Sequence, residues 1–252
     1  MCIDYIDLNR HCPKDPFPFP RIDQVVDSIV GSTPLCFFNC YSSYHQIALK
    51  VSHQDKTAFI TPHDISCYTA MTFGLKNAGA TYQKAIQKCL DSQIGKNVEA
   101  YVDDVVVKTT NEDDLIADLA QTFANLRHYR WKLNLEKCVF SVPSGKLLGF
   151  MVSHRGIEAN PTKVDAIRRM NRPTGKKDVM KLTSMMVALG RFISKLGEKG
   201  MAFFKLQKRS KKFKWTDEAN QALEELKTFL TTPPVTTPLV METLLLYISA
   251  ST

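Results

Sequence analysis

No stretch of this 252-residue sequence stays apolar long enough to cross a bilayer. The richest late run, LVMETLLLYISA, is short and broken by Glu242. The opening MCIDYIDLNR is charged and has no apolar core, so it does not read as a signal peptide. Paired cysteines are missing as well. The seven present, Cys2, Cys12, Cys36, Cys40, Cys67, Cys89 and Cys138, are odd in number and scattered, and none forms a C-x-x-C pair. That argues against a zinc knuckle or ribbon and leaves reduced, mostly buried thiols as the simplest reading. With no signal or membrane segment, the expected setting is intracellular, cytoplasmic or nuclear. Internal repeats and low-complexity tracts are also absent. Acid is in short supply, with 25 Asp and Glu against 33 Lys and Arg, a net charge of +8. A polyanionic partner, nucleic acid first, suits that excess. A basic protein without such a partner fits the charge equally well.

What is present is globular: 44% hydrophobic and 23% charged residues, enough chain for one large domain or two small ones. CPKDPFPFP, residues 12–20, carries four prolines and predicts an extended connector. RIDQVVDSIVG predicts a short helix ended by Gly31. PLCFFNC predicts a strand to about Cys40, a turn around Ser42 and Ser43, and a return strand near Gln46 to Val51. KTAFITP and CYTAMTF predict a strand pair. NAGATYQKAIQKCLDSQI predicts a helix capped by Asn77, and NEDDLIADLAQTFANLRHYR a second helix with Leu115, Leu119, Phe123 and Leu126 inward. Short strands follow through residue 157, and beyond about 160 the pattern is helical.

NVEAYVDDVVVKTT, residues 97–110, sets two acids side by side among strand formers. A two-residue hairpin turn places Asp103 and Asp104 at its tip. One reading is a solvated turn. The other is a carboxylate pair for hard cations, since Mg²⁺ takes oxygen ligands and is held by one or two carboxylates plus substrate phosphates.

YVDD and its surroundings resemble reverse transcriptases. MTFGLKNAGATYQ (71–83) resembles the segment in which a glycine-containing turn leads into a helix beside template and nucleotide. CFFNCYSSYHQI (36–47) resembles the segment that carries the first catalytic aspartate. KLNLEKC (132–138) and LLGFMVSHRGI (147–157) resemble the next two, the second being the primer grip. IDYIDLN near the start and FKWTDEANQALEELKTFL near the end also match. The blocks stand in family order over essentially the whole chain, and the pattern is most similar to gypsy-type long-terminal-repeat retrotransposons of plants. The resemblance implies an α+β fold: a right-hand polymerase palm with partial fingers over 1–155, a helical thumb over 156–212, and over 213–252 a connection with the first strand of a ribonuclease H-like segment.

It also implies roles. Asp103 and Asp104 would hold Mg²⁺ or Mn²⁺. Tyr44, Phe73 and Gln83 would border the nucleotide. Lys137 would pair with the leaving pyrophosphate. Leu148 and Gly149 would form the primer grip. Lys205, Lys208, Arg209, Lys211, Lys212 and Lys214 would touch phosphates of an RNA or DNA template-primer, with deoxynucleoside triphosphates as substrates; a solvated basic face explains that run equally well. Departures accompany the match. Asn39 stands at the first catalytic aspartate, Ile6 at a usual arginine, Thr72 at a proline, and Ser43 and Asp64 at glycines. Altering a neighbour of a metal ligand already costs about 10- to 100-fold in affinity or activity, so losing a ligand's charge implies impaired polymerisation. The missing upstream finger strands imply a truncated, degenerate copy. Ser249 at a ribonuclease H aspartate implies no such nuclease activity. The alternative is a nucleic-acid-binding remnant without catalysis. Oligomeric state is left open.

Overall fold

The computed structural model describes residues 3–207, 213–232 and 235–237. The chain divides into two compact units, residues 1–154 and 155–252.

The first unit opens with helix α1 (Ile6–His11), the proline-rich connector and α2 (Ile22–Asp27). Strand β1 (Leu35–Asn39), the single helical turn α3 (Val51–Gln54) and a small antiparallel pair, β2 (Phe59–Ile60) and β3 (Ile65–Ser66), follow. Then come α4 (Ala78–Cys89), the hairpin β4 (Val98–Tyr101) and β5 (Asp104–Lys108), α5 (Leu115–His128), β6 (Val139–Val142), and the hairpin β7 (Ser144–Leu147) and β8 (Phe150–Ser153).

The central sheet has the order β4-β5-β1-β6 with antiparallel pairings. The pleat sorts its side chains. Cys36, Phe38, Val98, Ala100, Val105 and Val107 point to one face and join a single core with Tyr82, Ile86 and Cys89 of α4 and Leu115 and Leu126 of α5. The alternate residues, Phe37, Asn39, Glu99, Tyr101, Asp104, Val106 and Lys108, therefore take the opposite face. There Lys108 Nζ donates to Glu99 Oε1 at 2.7 Å and to Ser28 O at 2.9 Å, a largely buried ion pair with a carbonyl for company.

The expected return strand near Gln46 to Val51 does not form. A 3-10 turn (Ser43–Gln46) and α3 stand there, with one bridge between Ala48 and Ala70. Both edges of β1 are already taken by β5 and β6, so the returning chain has no partner for a ladder. The expected pair of KTAFITP and CYTAMTF shrinks to β2 and β3, and the chain beyond Ser66 leaves to bridge Ala48 through Ala70. Asn77 precedes α4, but its side chain does not cap it. It accepts from Asp15 N at 3.0 Å and donates to Pro13 O at 2.8 Å, tying the connector to the helix start.

The second unit holds β9 (Gly156–Ala159), α6 (Pro161–Arg168), α7 (Lys176–Ala188), α8 (Leu196–Gln207) and α9 (Asp217–Phe229). Asn160 caps α6 by accepting from Thr162 N, and Pro161 sits where a missing N–H does no harm. Thr216 caps α9 through Ala219 N. Leu182, Met186, Phe192, Phe203, Leu223 and Leu226 are buried, and the rings of Phe203 and Trp215 stack at 6.2 Å. Among the described residues no helix is long and apolar enough to span a membrane. The ribonuclease H-like strand with Ser249 lies outside the described residues.

Candidate active site

Asn39 ends β1 and pairs across the ladder with Asp104, the first residue of β5. Directly opposed residues hold their Cβ atoms roughly 4.5–5.5 Å apart. The two side chains share the face away from the helices. Asp104 is pushed above the ordinary carboxylate range, first by burial and then by the charge of Asp103, while the Asn39 amide pulls the other way.

The tip of the hairpin is Val102 and Asp103, because Tyr101 pairs with Asp104. This corrects the expectation that both acids sit at the tip: Asp104 belongs to the strand. Val102 adopts φ +49°, a conformation a β-branched residue resists. Gln83 holds it there. Its Oε1 accepts from Val102 N at 2.7 Å, and its Nε2 donates to Ala100 O at 3.0 Å. Gln83 is fully buried, so its amide is spent inside the fold on the hairpin rather than exposed at a nucleotide.

Asp103 is enclosed by neighbours. Cys40 N donates to its backbone oxygen at 3.2 Å, and Ser43 Oγ donates to its Oδ2 at 2.6 Å. Its Oδ1 is buried with no hydrogen-bond partner. The Tyr82 hydroxyl beside it is also buried and unpartnered, and burial, then Cys40 and Asp103, drive the phenol's pKa far upward. Burial likewise lifts the Cys40 thiol to about 11.

An aromatic row runs from the surface inward. Phe73 is exposed and meets Tyr44 edge-on at 5.0 Å, Tyr44 meets Tyr82 at 5.6 Å, and Tyr82 meets Trp131 at 5.0 Å. Burial, and secondarily Asp103, raises the pKa of Tyr44. Gln46 ties the loop after β1 to the chain before β6: its Oε1 accepts from Lys132 N at 2.7 Å, and its Nε2 donates to Lys132 O at 3.1 Å.

Lys137, exposed in a 3-10 turn, lines a cavity of about 330 Å³ together with Asn39, Asp104, Phe37 and Leu147. Gly145 forms part of its wall, and a Cβ there would fall 2.2 Å from the Phe37 ring. Leu148 and Gly149 make the two-residue turn between β7 and β8, both with positive φ, +49° and +86°. Asn39, Asp103, Asp104 and Lys137 thus converge within one unit. Lys205 and Lys214 lie in the other; Lys205 Nζ is paired with Glu218 at 2.9 Å. Lys208, Arg209, Lys211 and Lys212 lie outside the described residues.

Asp104 and the Asn39 side chain share one face, with Asp103 on the adjoining turn close enough to act on Asp104 by its charge; carboxylate and amide oxygens of this kind suit a hard cation, and the Asp103 Oδ1 is buried without a hydrogen-bond partner. The set fits Mg²⁺ or Mn²⁺ in kind, with one negative charge fewer than an aspartate at position 39 would give. No cluster of three or more His, Cys, Asp and Glu side chains suited to a metal occurs among the described residues. The sequence did not mark Ser43, Gln46, Cys40 or Tyr82 as site residues. Serine at 43 was legible only as an odd residue, and the others as ordinary core or loop positions.

The family model described as reverse transcriptase (RNA-dependent DNA polymerase) matches residues 1–152. The Transposon Tf2-3 polyprotein of Schizosaccharomyces pombe is 27% identical over 235 residues, covering 93% of this chain and 18% of that protein. The Tf2-7 polyprotein of the same organism is 26% identical with the same coverage. The chain therefore spans 18% of the length of these curated relatives. Among solved structures, a foamy viral protease-reverse transcriptase in complex with double-stranded DNA is similar at a TM-score of 0.86 and 19% identity, covering 93% of this chain and 41% of that one. The same type of protein in complex with RNA/DNA hybrid reaches 0.84 at 19% identity, covering 93% and 32%. These likenesses show the fold: an α+β polymerase fold of antiparallel sheets and helices.

Proposed function

The chain belongs to the reverse transcriptase family, and on that premise we propose that it is the polymerase domain of a gypsy-type, plant-like retrotransposon polyprotein whose nucleotidyl transfer is impaired. Residues 1–155 act as palm with partial fingers, 156–212 as thumb, and 213–252 as connection. The observation that carries the reading is the register that sets Asn39 against Asp104, with Asp103 on the adjoining turn.

Asp103 and Asp104 are the metal ligands, with Asn39 contributing only a neutral oxygen. Divalent ions held there supply activation of the attacking oxygen and charge compensation for the leaving one. Tyr44 and Phe73 pack against the incoming nucleotide. Lys137, on the wall shared with Asn39 and Asp104, holds a proton for the leaving pyrophosphate. Leu148 and Gly149 bring backbone close to the primer strand. Template-primer duplex and deoxynucleoside triphosphates are the partners, and the excess of basic residues supplies sequence-independent attraction.

Primer extension on an RNA template with Mg²⁺ or Mn²⁺ tests the reading. Extension near background by the unaltered chain, with gain on Asn39→Asp, is expected. Robust extension by the unaltered chain overturns the impairment.

A further inference from the structure

Both oxygens of the Asp103 carboxylate are enclosed by hydroxyl-bearing neighbours. Its Oδ2 is engaged by the Ser43 hydroxyl at 2.6 Å, a short, charge-assisted bond. Its Oδ1 is sealed from solvent beside the Tyr82 hydroxyl. Neither of those two atoms has a hydrogen-bond partner, and Tyr82 is completely buried between Tyr44 and Trp131, so its hydroxyl has no route to water. Ser43 is fixed from its own side: it follows Ser42, both with positive φ, +53° and +42°, at the start of the 3-10 turn (Ser43–Gln46), whose end Gln46 pins to Lys132. Two hydroxyls thus approach one carboxylate from two rigid elements, the loop after β1 and helix α4.

We propose that Ser43 and Tyr82 are positioning residues that work against a divalent cation at Asp103: the Ser43 hydroxyl occupies Oδ2, and the Tyr82 hydroxyl, standing beside Oδ1, closes that oxygen off. This rests on the reading that Asp103 is a metal ligand. A carboxylate has about four lone-pair sites, and each hydroxyl that takes one withdraws electron density from the cation. The pair then weakens the metal site independently of Asn39. Restoring the acid at position 39 returns the missing charge but leaves Asp103 turned inward.

Mn²⁺ binding, read from the electron paramagnetic resonance signal of the free ion in the full chain without nucleic acid, tests this apart from activity. Ser43→Ala/Tyr82→Phe should bind Mn²⁺ about tenfold more tightly than the parent, since the Ser43 hydrogen bond to a charged group is lost and Oδ1 is uncovered. Ser43→Gly/Tyr82→Phe should agree with it, because glycine accepts φ +42° without strain and separates hydroxyl loss from backbone effects. The same pair added to Asn39→Asp should tighten binding beyond Asn39→Asp alone. Tyr82→Phe should unfold no earlier than the parent, as it removes only an unpartnered buried hydroxyl. Mn²⁺ affinity of the paired variants within about twofold of the parent, while Asp103→Asn weakens it, overturns the competition and leaves the metal site standing. Affinity indifferent to Asp103→Asn removes the metal-ligand reading and the competition with it.

Discussion

A single buried amide sets the geometry of the two acids. Gln83 spends both ends on the backbone of Ala100 and Val102, and so holds Val102 in a conformation its branched side chain disfavours. Gln83→Leu removes both bonds and leaves Val102 N–H unsatisfied. Urea unfolding should show a loss of about 1–3 kcal/mol, the cost of an unpaired buried polar group. Asp104 illustrates the opposite sign. Its pKa in the fold is raised, so the protonated form is the one the fold favours. Its contribution is fully present below the unfolded value near 3.8 and is lost as pH rises through the folded value. Asp104→Asn should therefore raise the midpoint of thermal unfolding at neutral pH, in metal-free buffer, and that gain should vanish as the pH falls below the unfolded value. The acids themselves were legible in the sequence from their place in a strand-forming run. The role of Gln83 was not, because a polar residue on a helix reads the same whether it faces water or a buried turn.

At the scale of elements, two hairpins depend on particular turns. The β7–β8 turn places Leu148 and Gly149 at positive φ, a pattern that favours asparagine followed by glycine. Leu148→Asn should stabilise the fold by up to about 1 kcal/mol in urea unfolding, since leucine carries a strain there that asparagine does not. β7 also packs its Gly145 against Phe37 of β1 so closely that any Cβ collides with the ring. Gly145→Ala should destabilise by about 1–3 kcal/mol, as overpacked positions do, and should open the cavity under Asn39 and Asp104. Helices α4 and α5 followed from their apolar periodicity. The expected return strand after β1 failed because periodicity reports a segment's own preference and not whether a sheet edge is free to receive it.

For the whole molecule, charge is the property that matters most directly. With a net charge of +8, the proposed binding to duplex should be strongly salt-dependent. If six to ten phosphates are contacted, affinity for a template-primer should fall about 10³- to 10⁵-fold between 50 and 200 mM salt. A filter-binding series over that range checks it, and a flat response would count against a backbone-directed interface. Asp103→Ala should leave the slope unchanged, since it adds no cation contact to phosphate. The basic run from Lys205 to Lys214 is the segment whose neutralisation should reduce the slope.

The sequence alone determined which chemistry could be present: two adjacent acids in a strand-forming run, an asparagine at the end of another strand, a basic excess, and an ordered set of blocks that resemble one polymerase family. These are properties of composition and short-range order, which local periodicity and side-chain type record directly. Only the tertiary structure decided that Asn39 faces Asp104, that Asp103 is held by Ser43, and that Gln83 supports the turn from beneath. Those pairings join residues far apart in the chain, and their geometry is fixed by strand register, pleat direction and helix packing, which no single segment contains.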